Sequence, residues 1–297
     1  MLPRRHIRIK VFQSLYARSQ QTGDLSFDTQ KEFKKNLNGY VNIYYFIIEL
    51  IRILKKIASK EINIKKNKLI PSEDDLSPNK RFIKNFIFQK IKGKKEISIK
   101  IEDDKFKSVV KQVFDKIKKS KNYKNYMRKS SSNKEDDKKI IFHILKKYVI
   151  GNETIHDFIE EYSIYWNDDI LVAYNTLMEK INSNSQFNNL KLFRKKEDEL
   201  FGENLLKKTI KNENKISEII YNLAKNWDKE RIALTDLILM RMALCELKYI
   251  HDIPQKVTLD EYIEIAKEYS TPKSQQFING ILDVFIKDIL QKKGDES

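Results

Sequence analysis

Apolar residues recur along most of this chain at the three- and four-residue spacing of helices, and one stretch is apolar nearly all round. It runs from Arg231 to Leu247, RIALTDLILMRMALCEL, and eleven of its seventeen residues are Ile, Ala, Leu or Met. These residues occupy nearly every side of a helical wheel, so the helix is expected at the centre of a bundle. At ~1.5 Å rise per residue it would nearly cross a bilayer, but Arg231, Asp236, Arg241 and Glu246 interrupt it. A bundle core is the better reading. Its few polar side chains must pair or look out through a gap.

The start of the chain, PRRHIRIKVFQSLYARSQ over 3–20, reads as a helix entered by Pro3. Ile7, Val11 and Leu15 share one face, with Phe12 and Tyr16 beside them. Arg4 and Arg8 fall in the same sector as Val11 and Leu15, and no acidic residue occurs before Asp24. An unpaired arginine cannot enter an apolar core. The first turns are therefore expected to project past the core and offer arginines to something anionic, with a solvated or salt-bridged helix start as the alternative. Gly23-Asp24 breaks this helix, and Ser26 or Asp28 can cap a long second one reaching about Ser59, whose stretch Tyr40–Leu54 must be enclosed.

Further helices are predicted over Asn79–Ile91, Lys105–Lys119, Glu135–Val149, His156–Glu161, Asp168–Ile181, Glu197–Lys211 and Ile216–Asn226. Gly93–Asp104 alternates like a strand for a few residues. Near the end, Thr258 and Glu261 have the spacing of a capping box, and Thr271-Pro272 opens a last helix. Phe277, Ile278, Ile281, Leu282, Phe285 and Ile289 line one face of that helix. Gly280 within it would be justified by the close approach of a neighbouring backbone. Three acidic triplets, at 73–75, 102–104 and 135–137, lie at predicted helix starts, where negative charge complements the dipole; capping explains them better than a divalent cation.

Only seven glycines and five prolines occur in 297 residues, which points to an all-α protein with short connections. The net charge of +16 makes a polyanion the natural partner, nucleic acid before membrane. That charge is unevenly placed: residues 61–150 hold 26 Lys/Arg against 12 Asp/Glu, whereas Asn214 to the end is slightly acidic. Lysines spaced along helix faces are usually a solvated surface, and abundant Lys, Ile and Asn throughout also fit a compositional bias. Cys245 is the single cysteine, so neither an intrachain disulfide nor a thiol zinc cluster is available, and it is expected to pack as a small apolar residue. The four histidines lack metal-ligand spacing; His6 is either an RNA contact or simply exposed. No phosphate-binding glycine loop and no nucleophile constellation can be argued, so neither a cofactor nor an enzymatic activity is expected. No signal sequence opens the chain, and a cytoplasmic protein is expected.

The two ends together resemble a known family. RRHIRIKVFQSLY near the start, with DLILMRMALCEL and DIPQKVTLDEYIEIAKEYSTPKSQQFINGILD near the end, is similar to NusB, the bacterial transcription antitermination factor. The resemblance implies a helical bundle of two packed helical subdomains, here with a long helical insertion. The expected division is 1–24, an N-terminal helix packing on the C-terminal bundle; 25–225, an enlarged helical middle; and 226–297, the C-terminal bundle. The resemblance further implies binding to single-stranded boxA RNA of ribosomal RNA operon transcripts, together with the small-subunit ribosomal protein NusE, within the antitermination complex of RNA polymerase. The family's RNA-contacting positions fall on Arg4, Arg5, Arg8, Arg241 and Phe277, with Lys273 where other members can carry an acidic residue. Tyr16 and Asp236 match positions of the ribosomal-protein contact. Two other functions stay open: a protein-only scaffold in ribosome assembly, and a NusB-like accessory domain of an RNA-modifying enzyme. All of these sites assume that Arg8 and Arg241, far apart in sequence, share one RNA-facing surface.

Overall fold

The computed structural model describes residues 1–21, 27–91, 104–129, 133–163, 165–224 and 232–294, with backbone alone at 105 and 289–294. Among these residues the regular structure is helical throughout. In order come α1 (Arg4–Ser19), α2 (Thr29–Lys66), α3 (Glu73–Leu76), α4 (Phe86–Lys90), α5 (Asp104–Lys119), α6 (Lys121–Arg128) and α7 (Lys134–Leu145). A π-helical turn, Lys146–Ile150, continues α7. Then follow α8 (Glu153–Glu160), α9 (Trp166–Asn182), α10 (Lys196–Lys211), α11 (Glu213–Leu223), α12 (Leu234–Tyr249), α13 (Gln255–Tyr269) and α14 (Pro272–Gly294).

The helices group into two compact units, Met1–Leu37 with Leu192–Ser297, and Asn38–Lys191. These boundaries differ from the expected divisions at 24/25 and 225/226. The start of α2 and all of α10 and α11 belong with the chain ends, because their side chains close on α1 and α12. Asn36 donates to Ser14 at 3.1 Å. A Cβ added to Gly202 of α10 would stand 2.7 Å from Ile7 and 2.8 Å from Phe33, so only glycine allows α1 and α10 to approach this closely. The Gly23-Asp24 break, Ser26, Arg231 and most of the strand-like Gly93–Asp104 stretch lie outside the described residues.

In the terminal unit, α12 is as central as its composition requires: from Ile238 to Leu247 every residue except Arg241 is buried. Its equal is α1, buried without interruption from His6 to Leu15. Helices α10, α12 and α13 pack around α1, and α14 packs on α11, α12 and α13. In the middle unit, Phe158 stacks on both Phe46 and Phe106, with ring centroids 4.2 Å apart for the latter pair, and Phe46 and Phe106 meet tilted. The Tyr40 hydroxyl donates to Thr176 at 2.9 Å, and Tyr44 donates to the Phe187 carbonyl at 2.9 Å. Burial pushes the Tyr40 hydroxyl pKa up to about 12. α2 is long and apolar enough by composition to cross a membrane, yet 67% of that apolar window is buried inside the fold, as in a core helix.

Several local expectations need correction. α2 runs to Lys66 rather than Ser59. In the 79–91 segment only α4 is helical: the Asn85 side chain accepts from the Ile87 N–H and starts a new helix at Phe86, after a turn over 81–84. α13 begins at Gln255, one turn before Thr258, so the proposed capping box does not exist: Thr258 is buried and bonds elsewhere. Gly280 is exposed, and a Cβ there would meet nothing within 4 Å, so no close backbone approach justifies it. The acidic triplets at 73–75 and 135–137 do begin α3 and α7, beneath the side-chain caps Ser72 and Asn133. Of the third, Asp104 begins α5, while Glu102 and Asp103 are outside the described residues.

Candidate functional site

The largely buried helices α1 and α12 each turn charged residues inward, and two of these, Arg8 and Glu246, meet. Arg8 and Glu246 are 1% and 0% exposed. The Arg8 Nε and Nη2 donate to the two Glu246 carboxylate oxygens at 2.9 and 2.5 Å, a bidentate pair. Thr258 Oγ1 and the Tyr262 hydroxyl of α13 each donate to the same carboxylate at 2.9 Å. Glu246 thus accepts four hydrogen bonds, which satisfies a buried carboxylate. Burial works against the charge on Arg8, but the bonds to Glu246 outweigh it and hold the guanidinium pKa above its usual value. The Arg8 guanidinium also lies 5.0 Å from the Phe201 ring centre and 5.7 Å from that of Tyr262.

Arg8 therefore does not project past the core, as expected from sequence; it enters the core because it is paired. Arg4 and Arg5 stay at the rim, with side chains 37% and 41% exposed. Arg4 donates to Asp198 at 2.8 Å, and Arg5 grips Glu261 at 2.8 and 3.0 Å. The hydrogen bond to Glu261 raises the Arg5 pKa against the opposing effect of burial. These residues border an open cleft of about 540 Å³ whose other walls include Pro3, Asp252, Pro254 and Val257.

Arg241 sits elsewhere. Its Nε donates to Ser217 at 2.8 Å and its Nη1 to Glu213 at 2.7 Å. Glu213 takes its second cation, Arg18, at 2.7 Å from the last turn of α1. Together they line a second cleft of about 240 Å³. Arg8 and Arg18 are ten residues apart on one helix, roughly 15 Å along its axis. The anticipated single surface shared by Arg8 and Arg241 is thus not formed: Arg241 faces the end of α1 opposite to the Arg4–Arg8 turns. The reason is helical geometry, since Arg241 and Glu246, five residues apart on α12, point in different directions.

The other anticipated residues divide in the same way. Phe277 is buried at 8% exposure within the apolar face of α14, beside Ile278 and Ile281. Lys273 is exposed in the first turn of that helix, where Thr271 Oγ1 accepts from the Ser274 backbone N–H at 3.2 Å. Tyr16 is half-buried; it and Tyr269 flank the Phe12 ring, with centroids 6.4 and 4.9 Å from it. Asp236 is 4% exposed and accepts from Ser270 Oγ at 2.5 Å. His6 is buried, and so is Cys245, whose thiol pKa burial pushes up to about 11. Among the described residues, no three His, Cys, Asp or Glu side chains gather as a metal site.

Sequence reasoning missed the acceptors: Glu246, Asp198, Glu261 and Glu213. One signal was available for the first of these. A lone glutamate in an apolar helix and a lone arginine in the apolar sector of another helix must each find an opposite charge, and each other is the economical answer.

The NusB family profile matches residues 137–287. The transcription antitermination protein NusB of Salinibacter ruber is 46% identical over 89 residues, which is 30% of this chain and 56% of that protein. NusB of Chloroherpeton thalassium is 43% identical over 88 residues, 30% of this chain and 42% of that protein. NusB of Bacillus mycoides is 42% identical over 90 residues, 30% of this chain and 68% of that protein. The matched stretch thus spans about half the length of the first two relatives. No solved structure matches significantly.

Proposed function

The chain belongs to the NusB family, and from that premise we propose that it is a non-catalytic transcription antitermination factor of the cytoplasm. It binds single-stranded boxA RNA of ribosomal RNA operon transcripts together with the ribosomal protein NusE. The observation that carries the reading is the coincidence of the family match with half-exposed guanidinium groups, Arg4 and Arg5, along an open cleft.

Both arginines are ion-paired, and magnitudes decide whether that matters. A rim pair of this exposure is worth about 0–1 kcal/mol, so exchanging Asp198 or Glu261 for a phosphate costs little. Breaking the buried Arg8–Glu246 pair costs about 3–5 kcal/mol, more than one phosphate contact returns. Arg4, Arg5 and Lys273 are accordingly the RNA-facing cations, with Arg241 forming a second contact from the Glu213 cleft. Arg8 orients α1 rather than touching RNA. Phe277, 8% exposed, offers little surface to a base. Tyr16 and the Asp236–Ser270 pair mark the surface for the ribosomal protein.

The test is a titration of boxA-like and scrambled RNA, with and without the ribosomal protein. Arg5→Ala should weaken the specific complex by about 1–3 kcal/mol. If four cations meet phosphates, the log–log salt slope should be about −3. One observation favours a second reading, a protein-only scaffold: the described arginines lining both clefts are all paired internally. Salt-insensitive or absent RNA affinity, alongside normal NusE binding, would select that reading.

A further inference from the structure

The middle unit, Asn38–Lys191, carries 32 Lys/Arg against 20 Asp/Glu. Among the described residues, a minority of these cations are ion-paired. Lys118 is held by Glu61 and Asp115, Lys129 by Asp136, and Lys68 by Asp75. Unpaired cations crowd the corner where α5 passes into α6. Lys111, Lys116, Lys119, Lys121, Lys124 and Arg128 are all exposed, and none has an ion-pair partner among the described residues. From Lys116 through Lys134 the sequence contains no acidic residue.

The arrangement is held from beneath. Lys121, Lys124 and Arg128 recur at three- and four-residue spacing, which places them on one outward stripe of α6. The inward side of α6 buries Tyr123 and Tyr126, and α5 buries Val110, Val113, Phe114 and Ile117. Ser120, which accepts from the Tyr123 backbone N–H at 3.2 Å, fixes the corner between the two helices. The neighbours on the outward stripe are Asn122 and Asn125.

We propose that this α5–α6 corner is an RNA-backbone site that reads charge and not sequence. The stripe offers no exposed aromatic ring on which a base could stack, which leaves phosphates as the recognised groups. It also offers no large exposed apolar side chain to enter a bilayer, which separates it from the amphipathic basic helices that bind membranes. The site lies outside the 137–287 stretch that matches the NusB family; its charge-reading rests on the corner alone, while its role rests on the function proposed above. Its role would be to hold a transcript non-specifically while the terminal unit reads a defined element.

The experiment uses the full-length chain and a scrambled single-stranded RNA, followed by fluorescence anisotropy across a salt series. The test variant combines Lys119→Gln, Lys121→Gln, Lys124→Gln and Arg128→Gln. The control removes the same charge from exposed lysines of the terminal unit, with Lys31→Gln, Lys34→Gln, Lys211→Gln and Lys215→Gln. Circular dichroism checks that both variants are folded. The test variant should bind about tenfold more weakly at low salt and show a slope shallower by about 3, while the control stays near the parent. Equal losses in both variants would mean net charge alone and would overturn the site, as would unchanged binding in the test variant. Phosphatidylcholine–phosphatidylglycerol vesicles are the third arm: binding there, lost in the test variant while RNA binding is retained, would overturn the assignment to RNA. The preference for boxA over scrambled RNA in the presence of the ribosomal protein should survive in the test variant, so failure of this site and failure of the proposed function remain distinguishable.

Discussion

Five arginines of the terminal unit and the unpaired lysines of the α5–α6 corner carry the same charge and meet opposite fates. Arg4, Arg5, Arg8, Arg18 and Arg241 each close on a carboxylate of another helix. Lys116, Lys119, Lys121 and Lys124 reach into solvent with no such partner among the described residues. Side-chain chemistry explains much of this. A guanidinium is weakly hydrated and offers a planar fork that fits a carboxylate, so it can leave water in company. An ammonium is strongly hydrated and stays at the surface on a flexible stem. The lesson is that a basic cluster in sequence is not yet a basic surface. The arginine-rich start of this chain spends much of its charge holding helices together, while its lysine-rich middle keeps charge free.

That contrast can be broken at its strongest point first. Glu246→Ala leaves the Arg8 guanidinium, Thr258 and Tyr262 without their shared acceptor, and should destabilise the terminal unit by about 3–5 kcal/mol in urea unfolding. A loss below about 1 kcal/mol would mean that the buried pair does not organise α1, α12 and α13. Arg241→Ala should cost less, about 1–2 kcal/mol, because Glu213 keeps Arg18 and is not stranded. A cost as large as that of Glu246→Ala would move Arg241 into the structural core. The smallest effect is expected at the corner: Lys121→Gln, Lys124→Gln or Arg128→Gln should each change the unfolding free energy by no more than about 0.5 kcal/mol. A clear destabilisation there would show that these cations have structural partners after all.

The central position of α12 was legible because an apolar wheel admits few other placements. The long α2, with its enclosed Tyr40–Leu54 stretch, and the Thr271-Pro272 start of α14 were legible for equally local reasons. The α6 helix escaped notice because KNYKNYMR buries only Tyr123 and Tyr126, too few apolar residues for a periodic signal. The capping-box spacing at Thr258 is not realised because a Thr and a Glu three residues apart can equally bond charged groups of other helices. Thr258 bonds Glu246, and Glu261 bonds Arg5.

Sequence alone was enough to establish an all-helical chain, the family resemblance at its two ends and the excess of cations in its middle, because propensity, periodicity and charge are carried residue by residue. Only the tertiary structure decided which cations are available. It put Arg8 and Glu246, 238 positions apart, into one bidentate pair, and it put Arg241 at the other end of α1. Whether a charge is spent or free depends on what packs against it, and that partner comes from a distant part of the chain.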